Sequence, residues 1–117
     1  FIVKKNQVLI SLSSLDFSFI VEDNISEIFS LFHKYQMKVD LIQNSAISFS
    51  VCVDNKFRQL NNLINHFKAK FKVTYTDGVS LYTIRHFDEV AVKRIESQFD
   101  VLLKQVATET VQLVVKA

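Results

Sequence analysis

Apolar and polar positions follow two alternating periods along the chain, and these predict its elements. Residues 8–14 (VLISLSS) are short and apolar, which predicts a strand. After it Ile25, Ile28, Phe29, Phe32 and Tyr35 recur at helical spacing and would share one buried face. Asn24 can cap that helix, with Glu27 three residues on as in a capping box. Residues 39–43 predict a second strand, Asn44 and Ser45 a turn or kink, and residues 47–53 a third strand. There Ile47, Phe49, Val51 and Val53 alternate with Ser48, Ser50 and Cys52, so the first set is expected in the core and the second on a polar face. Asp54 and Asn55 are cap candidates for a second helix with Phe57, Leu60, Leu63, Ile64 and Phe67 as its stripe, and residues 71–76 predict a fourth strand. This is the β-α-β-β-α-β order of a ferredoxin-like sandwich.

Asp77 and Gly78 predict a turn, after which the order begins again. Residues 79–86 read as a strand, Asp88 as the cap of a short helix carrying Val92, Ile95 and Phe99, and residues 101–106 and 111–115 as a strand pair. This second unit stops where its second helix would begin, while residues 1–4 form a spare strand at the other end. The expected class is α+β: two ferredoxin-like units in tandem, with antiparallel sheets, helices on one face and the second unit incomplete. The sequence opens on Phe1 rather than methionine, so a piece of a longer chain is expected.

Composition narrows the function. One glycine and no proline leave no Gly-rich loop to bring backbone amides against a phosphate, which argues against a self-contained nucleotide enzyme. A net charge of +2 gives no electrostatic footprint for nucleic acid or an acidic membrane. No apolar run approaches the roughly 18 residues a membrane span requires. The single cysteine, Cys52, cannot form an internal disulfide, so a reducing, cytoplasmic setting is expected.

Catalytic chemistry finds little support. His33, His66 and His86 stand in no metal-ligand spacing and read as surface or boundary residues. Cys52 reads as a small strand side chain, and Glu22, Asp23 and Glu27 as complements to a helix dipole. Eleven phenylalanines raise an RNA-stacking sheet, but the third strand's outer face of Ser48, Ser50 and Cys52 offers no aromatic platform. A binding site is left. The segment from Ser14 to Asn24 leads into a helix N-terminus, whose amides attract a carboxylate. Asp40 could neutralise an ammonium, and Ser45 with neighbouring amides could hold a zwitterion. The alternative is a solvated acid and ordinary turn residues.

KKNQVLISLSS followed by a helix, KVDLIQNSAISFSVCVD, and VTYTDGVSLYTI together resemble the C-terminal regulatory region of the aspartate kinases, a pair of ACT domains, in the lysine-sensitive type. The resemblance runs over essentially the whole chain. It implies a first ACT domain at 7–77 inserted into a second formed by 1–6 and 78–117. It also implies allosteric feedback inhibition, by lysine, of the ATP-dependent phosphorylation of aspartate. The catalytic domain would lie outside this sequence, with its ATP and magnesium; no catalytic residue, metal or cofactor is expected here. By resemblance the effector contacts fall at Phe17, Ser18, Asn24, Asp40, Ser45, Ala46 and Ile47, between first ACT domains of a homodimer. The chain departs from the lysine-sensitive pattern at the helix entry, with Glu22, Asp23 and Asn24 for Arg-Gly-Phe, and at Ala46 for Glu. A ligand-silent dimerisation domain and an unrelated ferredoxin-like module remain as alternatives.

Overall fold

The computed structural model describes residues 2–15, 20, 22–85 and 88–116, with only the backbone at Phe57. Their elements run β1 (Ile2–Ser14), α1 (Glu22–Lys34), β2 (Val39–Asn44), β3 (Ser48–Asp54), α2 (Phe57–Lys68), β4 (Phe71–Arg85), α3 (Glu89–Gln98), β5 (Asp100–Val106) and β6 (Thr110–Lys116). The strand order is β2-β3-β1-β4-β6-β5, and the β2–β3, β4–β6 and β5–β6 pairs run antiparallel. The chain divides into two compact units, Val8–Thr76 and Phe1–Gln7 with Asp77–Ala117.

In the unit Val8–Thr76, the helices cover one face of the sheet. Val8, Ile10, Leu12, Phe49, Val51 and Val53 from the strands meet Ile28, Phe32, Leu60, Leu63, Ile64 and Phe67 from the helices in one core. Its phenylalanines pack edge to face: Phe29 on Phe49 with centroids 5.6 Å apart, and Phe32 on Phe67 at 5.5 Å. These rings therefore serve the core rather than a nucleobase platform. In the other unit, Val92 and Ile95 of α3 pack with Ile84, Val111, Leu113 and Val115 of the sheet.

Several expectations need correction. The spare strand and the strand at 8–14 are one continuous β1, and Asp77–Gly78 makes no chain reversal, because β4 runs straight through it. What the Asp-Gly pair does supply is a left-handed residue, Gly78 at φ 63°; β1 carries its counterpart, Asn6 at φ 57°. α1 begins at Glu22, so Asn24 lies inside its first turn instead of capping it, and Glu27 pairs with Lys70 rather than closing a capping box. Glu22 and Asp23 complement the positive end of the helix, which favours the longer start. Neither Asp54 nor Asn55 caps α2: its N-cap is Lys56, without a side-chain hydrogen bond. Asp88 does cap α3, its Oδ1 accepting from the amides of Val90 and Ala91 at 3.1 and 3.2 Å.

Ile47 and Cys52 also fall elsewhere. β3 starts at Ser48, which leaves Ile47 in the turn and 59% exposed, while Cys52 is fully buried. For Cys52 the cause lies in β2. Val39 pairs with Val53, but the next registered pair is Leu41 with Cys52, so Asp40 is the extra residue of a β-bulge. The bulge shifts the alternation by one and brings Leu41 onto the face of Cys52, where both are buried.

Candidate functional site

The predicted binding region centres on the turn of residues 45–48, where β2 passes into β3. The Ser45 amide donates to the Ser48 carbonyl at 2.9 Å, and the Ser48 amide donates to Ser45 Oγ at 3.1 Å. The two hydroxyls are 2.8 Å apart. A serine at each end therefore closes the turn with side-chain as well as backbone bonds, in a place where the sequence has no glycine. From the other side, the amide of Ile20, just before α1, donates to the carbonyl of Ala46 at 2.9 Å. Ile20 is itself buried in the core, so the entry to α1 is tied to the turn by both packing and a hydrogen bond.

Next to this tie lies a cavity of about 180 Å³, lined by Ser13 and Ser14 at the end of β1 and by Ile47 and Ser48 of the turn. Its wall is mostly apolar, with polar atoms only a small part of it. Such a wall suits the binding of a small molecule, with few polar groups to orient it, rather than a reaction. Among the described residues no three His, Cys, Asp or Glu side chains gather as metal ligands. His33 is exposed, and His66 meets Tyr35 Oη through Nδ1 at 3.3 Å on the surface; His86 lies outside the described residues.

The structure thus brings Ser45, Ala46 and Ile47 together in one turn beside the entry to α1. Asn24 is half-buried in the first turn of that helix, and Phe17 and Ser18 lie outside the described residues. Asp40 stands five positions before Ser45, near the other end of β2 and roughly 16 Å away along an extended strand. It is half-buried, with Oδ2 shielded from solvent. Only a ligand extended along β2, an edge strand, would reach both. Ser13, Ser14 and Ser48 were not singled out by sequence. Serines at strand ends look like ordinary turn flanks, and their convergence depends on β1 and β3 being neighbours.

The bulge gives Asp40 its distinct setting. The other unit repeats the geometry: Val101 pairs with Val115 and Leu103 with Val114, leaving Leu102 as the extra residue. At corresponding bulges, then, one unit carries an acid and the other an aliphatic side chain that is 41% exposed. A bulge re-aims its extra residue, and such irregularities gather beside binding sites.

No protein-family model and no curated protein sequence matches the chain. Solved structures do. Escherichia coli aspartokinase III, in complex with lysine and aspartate, superposes with a TM-score of 0.75 at 18% identity, over 97% of this chain and 28% of that one. The fold is that of an aspartokinase regulatory region. A putative C-terminal regulatory domain of aspartate kinase from Porphyromonas gingivalis gives a TM-score of 0.80 at 19% identity, covering 99% of this chain and 84% of that one. The ligand-free regulatory subunit of aspartate kinase from Thermus thermophilus gives 0.69 at 12%, over 99% and 86%. The chain therefore spans little more than a quarter of the length of the E. coli enzyme, and nearly all of a regulatory domain. Among the described residues, no helix is long and apolar enough to cross a membrane.

Proposed function

We propose that this chain is the amino-acid-binding regulatory region of an aspartate kinase, with lysine as its effector. The observation that carries the reading is the likeness over 97% of the chain to a region of aspartokinase III, a protein seen with lysine and aspartate. The local geometry supports it: a small cavity beside the turn, a turn tied to a helix entry, and a bulged acid on the same edge strand. In this reading 7–77 is a first ACT domain inserted into a second made of 1–6 and 78–117. Asp40 receives the effector's side-chain ammonium. Ser45 to Ile47, Asn24 and the segment of Phe17 and Ser18 hold its α-amino and carboxylate groups.

The mechanism is differential affinity. Lysine would bridge the first ACT domains of two copies in a cytoplasmic homodimer and favour the arrangement in which the kinase is less active. Only the difference in affinity between arrangements shifts the equilibrium, and a coupling of about 1–3 kcal/mol is typical. Phosphoryl transfer from ATP to aspartate belongs to a catalytic domain outside this sequence, as do the nucleotide and its magnesium.

One observation favours a second reading, a ligand-silent dimerisation domain. The Ser45 hydroxyl is already engaged by Ser48 within its own turn, as a purely structural serine would be. A thermal-shift screen with lysine, threonine and methionine separates the two. Lysine at about 100 times its dissociation constant stabilises the folded state by about 2.7 kcal/mol. Asp40→Asn should weaken lysine binding about tenfold or more, the scale of a charge-assisted hydrogen bond. No shift with any of the three amino acids would favour the ligand-silent domain.

A further inference from the structure

A cleft of about 500 Å³ opens at the C-terminal end of α1, within the unit Val8–Thr76, lined by Phe32, His33, Lys34, Gln36, Met37 and Lys38. Phe32 and Met37 are buried in the core, while His33, Lys34, Gln36 and Lys38 are exposed. The backbone between them is held in place. Gln36 stands in the left-handed region at φ 54°, with the Met37 amide donating to the Phe32 carbonyl at 2.9 Å and the Gln36 amide to the His33 carbonyl at 3.0 Å. Lys34 and Lys38 are thus carried on a short loop anchored at both sides by core side chains.

The charge here is one-sided. The chain as a whole carries only +2, yet residues 28–39 and 55–76 hold seven lysines and arginines and no aspartate or glutamate. Lys56, just before α2, reaches this loop, its Nζ donating to the Gln36 carbonyl at 3.2 Å. Lys70 is taken by Glu27. Among the described residues no carboxylate pairs with Lys34 or Lys38; Lys34 Nζ lies 5.7 Å from the centre of the Tyr35 ring. Asp40 follows Lys38 by two residues, but it is half-buried and forms no part of the lining.

Cations at the end of a helix ordinarily answer its negative pole. Other groups meet that need here. The carbonyls of Leu31, Phe32 and His33 accept from the amides of Tyr35, Met37 and Gln36, and the carbonyl of Gln36 accepts from Lys56. Lys34 and Lys38 are left as unpaired charges on a cleft of the size that holds a small molecule. Their ammonium groups are compact point charges, and the lining has no arginine fork of the kind that matches a carboxylate. We propose that this cleft binds a small phosphate-bearing polyanion, with its phosphate chain between Lys34 and Lys38. His33 offers it a ring nitrogen for a hydrogen bond, and Lys56 adds positive potential from beside Gln36. Free pyrophosphate and the phosphate chain of a nucleotide present the same chemistry. The site shares no residue with the turn at 45–48 and stands whether or not lysine binds there.

Titrations of the chain with pyrophosphate, ATP and citrate, followed through its amide NMR signals, test the proposal. Saturable shifts centred on His33 to Lys38 are expected with pyrophosphate and ATP, weakening as ionic strength rises. Lys34→Gln and Lys38→Gln, both at exposed positions, should each weaken pyrophosphate binding about three- to fivefold, the scale of an exposed ion pair. Lys93→Gln, at an exposed lysine of the other unit, should change nothing. ATP tighter than pyrophosphate would support the site as one for a nucleotide, and ATP no tighter would support it as one for the phosphate chain alone. Absence of saturable shifts with both pyrophosphate and ATP, or shifts centred elsewhere, would overturn the proposal. So would equal affinity in wild type, Lys34→Gln and Lys38→Gln, or a loss in Lys93→Gln as large as theirs. Citrate binding as tightly as pyrophosphate would also overturn it, by reducing the cleft to a general attraction for anions.

Discussion

Replacing Gly78 by alanine tests whether the backbone of β4 is held as described. Gly78 sits at φ 63° in the middle of a fifteen-residue strand, at the point where the chain passes from one unit to the other. A Cβ placed there would meet nothing within 4 Å, so the substitution introduces no clash and isolates the dihedral. The left-handed region costs an L-residue about 1–2 kcal/mol. Loss of glycine's freedom in the unfolded chain returns about 0.4–1 kcal/mol. The net expectation is a destabilisation of about 1 kcal/mol, or a midpoint lowered by about 4 °C in a chain of this size. Urea denaturation followed by circular dichroism should show a lower midpoint with an unchanged slope. Gly78→Asn should recover much of the loss, since asparagine tolerates this region, and Gly78→Val should exceed it. Alanine as stable as glycine, or valine no worse than alanine, would refute the assignment of strain to φ.

Three further substitutions probe other joints of the fold. Gln36 occupies the left-handed position after α1, where Met37 N–H donates to Phe32 O at 2.9 Å and Gln36 N–H to His33 O at 3.0 Å, a Schellman ending without its usual glycine. Gln36→Gly should therefore stabilise the chain by about 0.5–1 kcal/mol in urea titrations. Asp88→Ala should cost about 1 kcal/mol and speed hydrogen exchange at the Val90 and Ala91 amides. Phe67→Ala removes a fully buried ring packed between Phe32 and Phe71 and should cost about 3–5 kcal/mol, readable as a fall in the denaturation midpoint, while Phe67→Leu should cost far less.

Much of the fold was legible because its signals are local. Helical spacing in α1 and α2 and strand alternation in β3 each follow from burying one face, and Phe49, Val51, Val53, Leu63 and Phe67 lie in the core as their periods require. Features set by partners in space were not legible. Nothing in VDL states that Asp40 is squeezed out of register, and without that the burial of Leu41 and Cys52 does not follow. The Asp-Gly pair read as a turn but supplies a left-handed residue inside β4 instead, and whether the chain reverses there depends on what β4 pairs with on either side. For the candidate site, Ile47 read as the start of a strand, while Asn44 and Ser45 stood out as a turn or kink. Ser13 and Ser14 did not, because their place at the cavity depends on the strand order.

The most direct test of the regulatory reading is a titration of the chain with lysine, followed residue by residue through its amide NMR signals. Saturable shifts are predicted at Ser13, Ser14, Ile20 and Asn44 to Ser48, and at Val39 to Leu41 around the bulge, with the latter group lost in Asp40→Asn. Signals unmoved at millimolar lysine, or shifts that gather away from β2 and its turn, would contradict lysine as the ligand of this site.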